Sequence, residues 1–414
     1  MMAVNWWSMG LTFFWLVGML ASLRGQQLEN PSLAHVQRTM GRMAASTPEN
    51  PATVRWLFYG QSITAQKWTA EVQQVLQHRF PSVRFVFENP AIGGFQSPDL
   101  LRTAAHDLYP WYPDLLVFHV YGPLNEFETL LQRTRARTTA EIVLWTSHLS
   151  SEETLDKDPD KEPRIAGIRA LARRYECHLI DVRKKWINHL KKTGLKPSAF
   201  LRDGIHLNEK GNALLASFMV EEWMAKPEVK TTPLAGEVRW VPSASSEVDQ
   251  RVSGQWTLDF EGNRVVVVSN GQDDAPTEVL IDGQSRHLNP DSWAVSRPGA
   301  APDIWMPAIK QVGFEKTPVE EAWTLTCLPG SAADGTRIRF RVDGSVTGLD
   351  GEGFSDRRFV SRSGRVVIEP QDWHLEWCLG YRKMKLPDLF KIRWKTYPLF
   401  SRGIARDHSG TESV

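Results

Sequence analysis

Along residues 54–224 the chain alternates short apolar runs with longer stretches whose apolar residues recur at helical spacing. The runs 54–60 (VRWLFYG), 83–89 (VRFVFEN), 113–120 (PDLLVFHV), 141–148 (EIVLWTSH) and 177–182 (CHLIDV) are rich in β-branched and aromatic residues. They lack polar alternation, the pattern of strands buried on both faces of a parallel sheet. Between them, 65–80, 99–110, 125–138 and 162–176 carry apolar residues three or four apart and fit crossover helices. The alternation predicts an α/β domain with a parallel sheet between helical layers. Beyond residue 227 the texture changes. Short aromatic and β-branched runs such as QWTLDFEG, NRVVVVSNG, EEAWTLTCLPG and TRIRFRVDGS are bounded by Gly, Asn and Asp. These predict an all-β sandwich over 235–382. Residues 383–414, basic and aromatic, read as a C-terminal extension without clear periodicity.

Composition adds limits rather than a function. At 414 residues two domains are expected, and a formal charge of +1 gives no basic field for nucleic acid. Residues 6–23 are almost wholly apolar and are followed by Arg24, Gly25 and a polar stretch. Residues 1–25 therefore read as a signal peptide or, if retained, a membrane anchor, and the protein as secreted or periplasmic. Of three cysteines, Cys327 and Cys378 are candidates to pair in an oxidising compartment, whereas Cys177 reads as a buried thiol. No Cys/His cluster has metal-ligand spacing, so neither a metal nor another cofactor is implied. Scattered carboxylates in 273–283 and 350–356 read as turn residues without a cation-loop pattern.

In a parallel sheet ligands gather beyond the carboxyl ends of the strands, so the polar residues just after each apolar run are the informative ones. After the first run stand Gly60, Gln61 and Ser62; after the second, Asn89 and then Gly93 and Gly94; after the third, Gly122 and Asn125. Asp203 and His206 occupy LRDGIHLNEKGN, before the expected final helix. Singly, each has an ordinary explanation: Ser62 as a helix N-cap, Gly93–Gly94 as a turn, Asp203 and His206 as a solvated loop pair.

Together and in this order, these segments resemble the four sequence blocks of the SGNH, or GDSL-like, hydrolases, over about residues 54–224. Gly60-Gln61-Ser62 stands where that family has Gly-Asp-Ser, NPAIGG resembles its second block, and Asp203-x-x-His206 matches its last. The third block departs, since Gly122 is followed by Pro123 and Leu124 before Asn125. The resemblance implies a three-layer, flavodoxin-like hydrolase domain over 26–230. It implies Ser62 as nucleophile, His206 as base and Asp203 as its orienting acid, with the Ser62 and Gly94 amides and the Asn125 side chain as oxyanion donors. Gly93, Gln61 and His119 would line the pocket. A serine hydroxyl attacks an ester only when a base takes its proton, and the tetrahedral oxyanion needs donors aimed at it. The implied partner is an ester substrate, with acetylated carbohydrate favoured by the appended β region, and a membrane only if the N-terminal segment stays. The competing expectation is a non-catalytic carbohydrate- or surface-binding protein on the same fold, with the altered first and third blocks marking lost activity.

Overall fold

The computed structural model describes residues 35–151, 161–221, 223, 239–250, 255–267, 278–300 and 304–399. The apolar segment 6–23 and the 224–238 connection lie outside them. Among the described residues no helix is long and apolar enough to cross a membrane.

The N-terminal domain is a five-stranded sheet in the order β2-β1-β3-β4-β5, all pairs parallel. Its strands are β1 (Thr53–Gly60), β2 (Arg84–Glu88), β3 (Leu115–His119), β4 (Glu141–Trp145) and β5 (His178–Ile180). Period-two geometry divides their side chains between two cores. Val54, Trp56, Phe58, Leu115, Val117, Val143 and Trp145 face one layer of helices: α1 (Gln37–Ala45), α2 (Trp68–Arg79), α6 (Val182–Thr193) and α7 (Glu209–Glu221). Leu57, Tyr59, Leu116, Phe118, Ile142 and Leu144 face the other: α3 (Ser97–Asp107), α4 (Leu124–Arg137) and α5 (Pro163–Arg174). This is the expected three-layer architecture. One run differs in detail: β2 is an edge strand whose side chains alternate between exposed and half-buried, because only β1 flanks it. The chain leaves β1 towards β2 and returns past it to β3. The loops after β1 and β3 therefore diverge and open a crevice at the sheet's carboxyl edge.

The C-terminal region is antiparallel. Two short ribbons come first, β6 (Val248–Asp249) with β7 (Thr257–Leu258) and β8 (Leu280–Ile281) with β9 (Gln284–Ser285). A seven-stranded sheet follows, comprising β10 (Trp293–Val295), β11 (Gly299–Ala300), β12 (Ile304–Pro307), β13 (Glu321–Cys327), β14 (Arg339–Gly344), β15 (Gly348–Phe354) and β18 (Lys391–Pro398). Its core lies between this sheet and a layer formed by the ribbon β16 (Phe359–Val360) and β17 (Val367–Ile368) with the helix α8 (Leu375–Arg382). Within the described residues it is one large antiparallel sheet faced by the β16–β17 ribbon and α8, a β domain appended to the α/β domain as expected. β18 falls in the stretch read as an extension, yet it pairs with β13 over six registers and also with β10 and β11. The run 264–267 forms no strand, and Val265, Val266 and Val267 are exposed.

The expected Cys327–Cys378 pair is corrected by the structure: all three cysteines are free and buried. Cys327 ends β13 inside the C-terminal core, whereas Cys378 on α8 faces the N-terminal domain's core beside Met306, its thiol aimed at the Pro307 carbonyl. The two side chains thus face different cores, and burial pushes both thiols up to about 12.

The two regions pack through α3. Asp99, Arg102 and Asp107 on that helix meet Lys310 at 2.9 Å, Asp372 at 2.6 Å and Arg297 at 2.8 Å. The His106 ring joins the Lys310 carbonyl at 3.0 Å. Spacings of three and four residues put Asp99, Arg102 and His106 along one side of the helix, with Asp107 adjoining His106.

Candidate active site

Ser62 lies in the irregular turn that follows β1. α2 begins only at Trp68, with Lys67 at its N-cap position, so Ser62 does not cap that helix. Gly60 makes the turn possible. A Cβ there would lie 2.4 Å from both the His119 carbonyl and the Thr64 hydroxyl, so only glycine lets the chain leave the sheet at this point. Asn89 fastens the second loop to the first, donating to the Thr64 carbonyl at 3.0 Å, while the Ile92 amide donates to the Gly60 carbonyl at 3.1 Å.

Asp203 and His206 sit in a hairpin closed by the Leu201–Leu207 bridge and by the Arg202 amide donating to the His206 carbonyl at 2.7 Å. Asp203 Oδ1 accepts the amides of Ile205 at 2.9 Å and His206 at 2.7 Å, and the carboxylate meets His206 Nδ1 at 3.0 Å. His206 Nε2 lies 3.0 Å from Ser62 Oγ. Those two backbone amides, reinforced by the imidazole, hold the Asp203 carboxyl well below the usual carboxylate range. The three side chains form a continuous relay from a fixed anion through an imidazole to a hydroxyl, with His206 placed to take the Ser62 proton.

Two further polar residues hold the relay together. The Gln66 side chain behaves like a strand backbone, accepting the Leu207 amide at 3.2 Å and donating to the Leu207 carbonyl at 3.3 Å. It ties the serine turn to the histidine loop across 141 residues of chain. His148, buried after β4, contacts the Ile205 carbonyl at 2.9 Å through Nε2. Burial lowers its pKa to about 4, so the ring is neutral and Nε2–H donates. Gln66 has no local pattern, whereas His148 ends the apolar run 141–148, where a histidine can line a pocket at the sheet edge.

Of the other predicted residues, Gly93 lies against the nucleophile, since a Cβ on it would stand 3.7 Å from Ser62 Cβ. Gly94 has φ +83, a conformation suited to glycine. Among the described residues no acceptor meets the backbone amides of Ser62, Gly93 or Gly94. Gln61 is buried below the turn with its amide 3.1 Å from His119 Nδ1, and His119 Nε2 reaches Ser147 Oγ at 3.1 Å. The His119 ring stacks on Trp145 at 3.9 Å, and burial drives its pKa well down. Gln61 and His119 thus form a neutral floor under the site. Asn125 is exposed at the second position of α4, where its backbone carbonyl accepts from Thr129, and no hydrogen bond joins its side chain to Ser62, Gly94 or His206. Arg164, unremarked in the sequence, donates to the Val120 and Gly122 carbonyls and lies over the Tyr121 ring, so it fixes the loop that precedes Asn125. Among the described residues no group of three His, Cys, Asp or Glu could hold a metal.

The site also has a wall from the C-terminal region. The Trp377 ring on α8 lies 3.2 Å from where a Cβ of Gly94 would be, and His374 meets Phe95 edge to face at 4.8 Å.

No family model matches the chain, and no curated protein does. Among solved structures, the chain is similar to Axe2, an acetylxylan esterase from Geobacillus stearothermophilus. That match has 19% identity over 44% of this chain and 99% of that one, with a TM-score of 0.38. It is also similar to LAE5, an alpha/beta hydrolase enzyme from the metagenome of Lake Arreo, at 19% identity over 44% of this chain and 100% of that one, TM-score 0.36. A third is the acetyl xylan esterase AlAXEase, at 22% identity over 41% of this chain and 99% of that one, TM-score 0.35.

Proposed function

We propose that this protein is an SGNH-type serine esterase that hydrolyses carboxylic esters through an acyl-serine intermediate. The observation that carries the reading is the unbroken Asp203–His206–Ser62 relay, with both links near 3.0 Å. Ser62 Oγ attacks the ester carbonyl carbon while its proton passes to His206 Nε2. The oxyanion forms near the unpaired amides of Ser62, Gly93 and Gly94, which serve as its donors. As the tetrahedral adduct collapses, the leaving alcohol takes the proton from His206. Water then adds to the acyl carbon by the same path and releases the acid. Asp203, anionic throughout, holds His206 with Nδ1 protonated so that Nε2 is free to act as base. The substrate class we propose is acetylated carbohydrate outside the cytoplasm, resting on the motif order and the appended β region.

The test is hydrolysis of p-nitrophenyl acetate by the protein lacking residues 1–25. Ser62→Ala and His206→Ala should each lower kcat by about 10³-fold or more. A fluorophosphonate should label the parent and not Ser62→Ala. Full activity in either variant, or labelling at another serine, overturns the assignment.

A further inference from the structure

The C-terminal region carries many tryptophans, and the structure separates them by what they do. Trp323 and Trp394 are buried core residues. Trp240 and Trp256 are exposed without an aromatic partner among the described residues. Trp377 is 40% exposed, and it stacks between His374 at 5.1 Å and Tyr381 at 5.3 Å, with the rings within 20° of parallel. Touching rings are separated by about 3.5–4 Å, so centroids this far apart mean that the rings are offset like steps, each leaving part of a face uncovered. Tyr381 is 59% exposed at the outer end.

These rings are not needed for the core. α8 already buries Leu375, Cys378 and Leu379 completely. The aromatic stripe at 374, 377 and 381 follows helical spacing along a different side, beside the Gly94 loop. An exposed apolar strip of this kind costs solvation unless it meets something. Its middle ring, Trp377, lies 3.2 Å from where a Cβ on Gly94 would be, and a Cβ on the neighbouring Gly93 would stand 3.7 Å from Ser62 Cβ.

We propose that Trp377 and Tyr381 form a sugar-binding subsite beside Ser62, which stacks the pyranose ring next to the one whose acetyl group is cleaved. A pyranose is suited to such a surface: its C–H face is apolar and meets the negative face of an aromatic ring, while its equatorial hydroxyls stay in water. A flat aromatic step reads ring shape rather than one sugar's hydroxyl pattern, so the subsite favours chains of pyranoses over single acetylated sugars. The inference rests on the esterase reading for the acetyl group but not for the binding.

Two measurements keep the two readings apart. The first compares kcat/KM on acetylated xylo-oligosaccharide and on p-nitrophenyl acetate. Trp377→Ala and Tyr381→Ala should each lower the ratio of the two at least fivefold, mostly through KM. Trp377→Phe should recover most of the loss, and Trp256→Ala, exposed and outside the aromatic strip, should change neither rate. The second titrates unacetylated xylotetraose into Ser62→Ala. Tryptophan fluorescence should change on binding, and the change should vanish when Trp377→Ala is added. Equal losses on both esters would make Trp377 a mere support for Gly94 and overturn the proposal. So would Trp377-independent binding, no binding of the tetrasaccharide, or a dimer that falls apart in Trp377→Ala with the ratio unchanged. Trp377-dependent binding by a parent that cleaves no ester would uphold the subsite and overturn the esterase reading instead.

Discussion

At the scale of single residues, burial rather than charge pairing decides how the site responds to acid. His148 is desolvated to a pKa of about 4, and His119 is driven well down as well. A histidine whose folded pKa is depressed binds its proton only in the unfolded chain between the two values, so stability falls as pH drops from 6.5 towards 4. At about 1.36 kcal/mol per unit, a shift of this size is worth roughly 3 kcal/mol over that window. Urea unfolding between pH 7 and 4 should show the loss, and His148→Asn should reduce its slope by about one proton. An unchanged slope would mean that His148 is solvated in the folded protein. Asp203 works in the opposite window. Its depressed carboxyl contributes above its unfolded pKa and is lost only below it, so it does not add to this transition. The relay residues were legible in the sequence because their chemistry needs particular residue types at strand ends. Gln66 was not, because its work is done by hydrogen bonds to backbone atoms 141 residues away.

At the scale of elements, what could be read followed how completely each element's pattern reported its surroundings. β1, β3 and β4 are covered on both faces and were continuous apolar runs in the sequence. β18 was missed although its Ile392, Trp394 and Thr396 alternate with exposed Lys391, Arg393 and Lys395. Three charged neighbours and a polar residue among the buried ones hid a regular period of two. α8 falls inside the stretch 235–382 expected to be all-β, because LEWCLGYR is short, aromatic and interrupted by glycine; its helix is held in place by tertiary packing of Leu375 and Leu379. The cysteines were misread for a related reason, since two thiols in one region can face different cores. Because all three are free, dithiothreitol should leave the melting temperature unmoved in a thermal scan of non-reduced protein. A fall of several degrees would place a disulfide where the structure has none.

At the scale of the whole molecule, the two regions share a wall of the candidate site rather than hanging from a linker. Arg102 and Asp372 join α3 to the turn that leads into α8. The Asp372 carboxylate is 5% exposed, and its pKa is raised because desolvation outweighs the attraction of Arg102. Removing the guanidinium leaves a buried charge without its partner, which typically costs about 3–5 kcal/mol. Arg102→Ala should therefore lower the melting temperature by several degrees, and Arg102→Ala combined with Asp372→Asn should recover part of the loss. Additive losses in the double variant would mean that the two groups do not interact. The docking was invisible in the sequence, where Asp99, Arg102 and Asp107 look like the solvated side of an amphipathic helix.

The position of β18 gives the molecule an order of assembly. It follows β10 to β17 in the chain but lies between β11 and β13 in the sheet, and its Ile392 and Trp394 share a core with Leu375 and Leu379 of α8. On the ribosome, Ser62, Asp203 and His206 emerge well before the strand that fixes the wall beside Gly94. At about 5–20 residues per second the interval is on the order of ten seconds or more. A frameshift after α8 would spare every residue of the proton relay and remove the strand whose Ile392 and Trp394 pack with the helix that carries Trp377. Damage near the carboxyl end would therefore blunt the choice of substrate before it touched the chemistry.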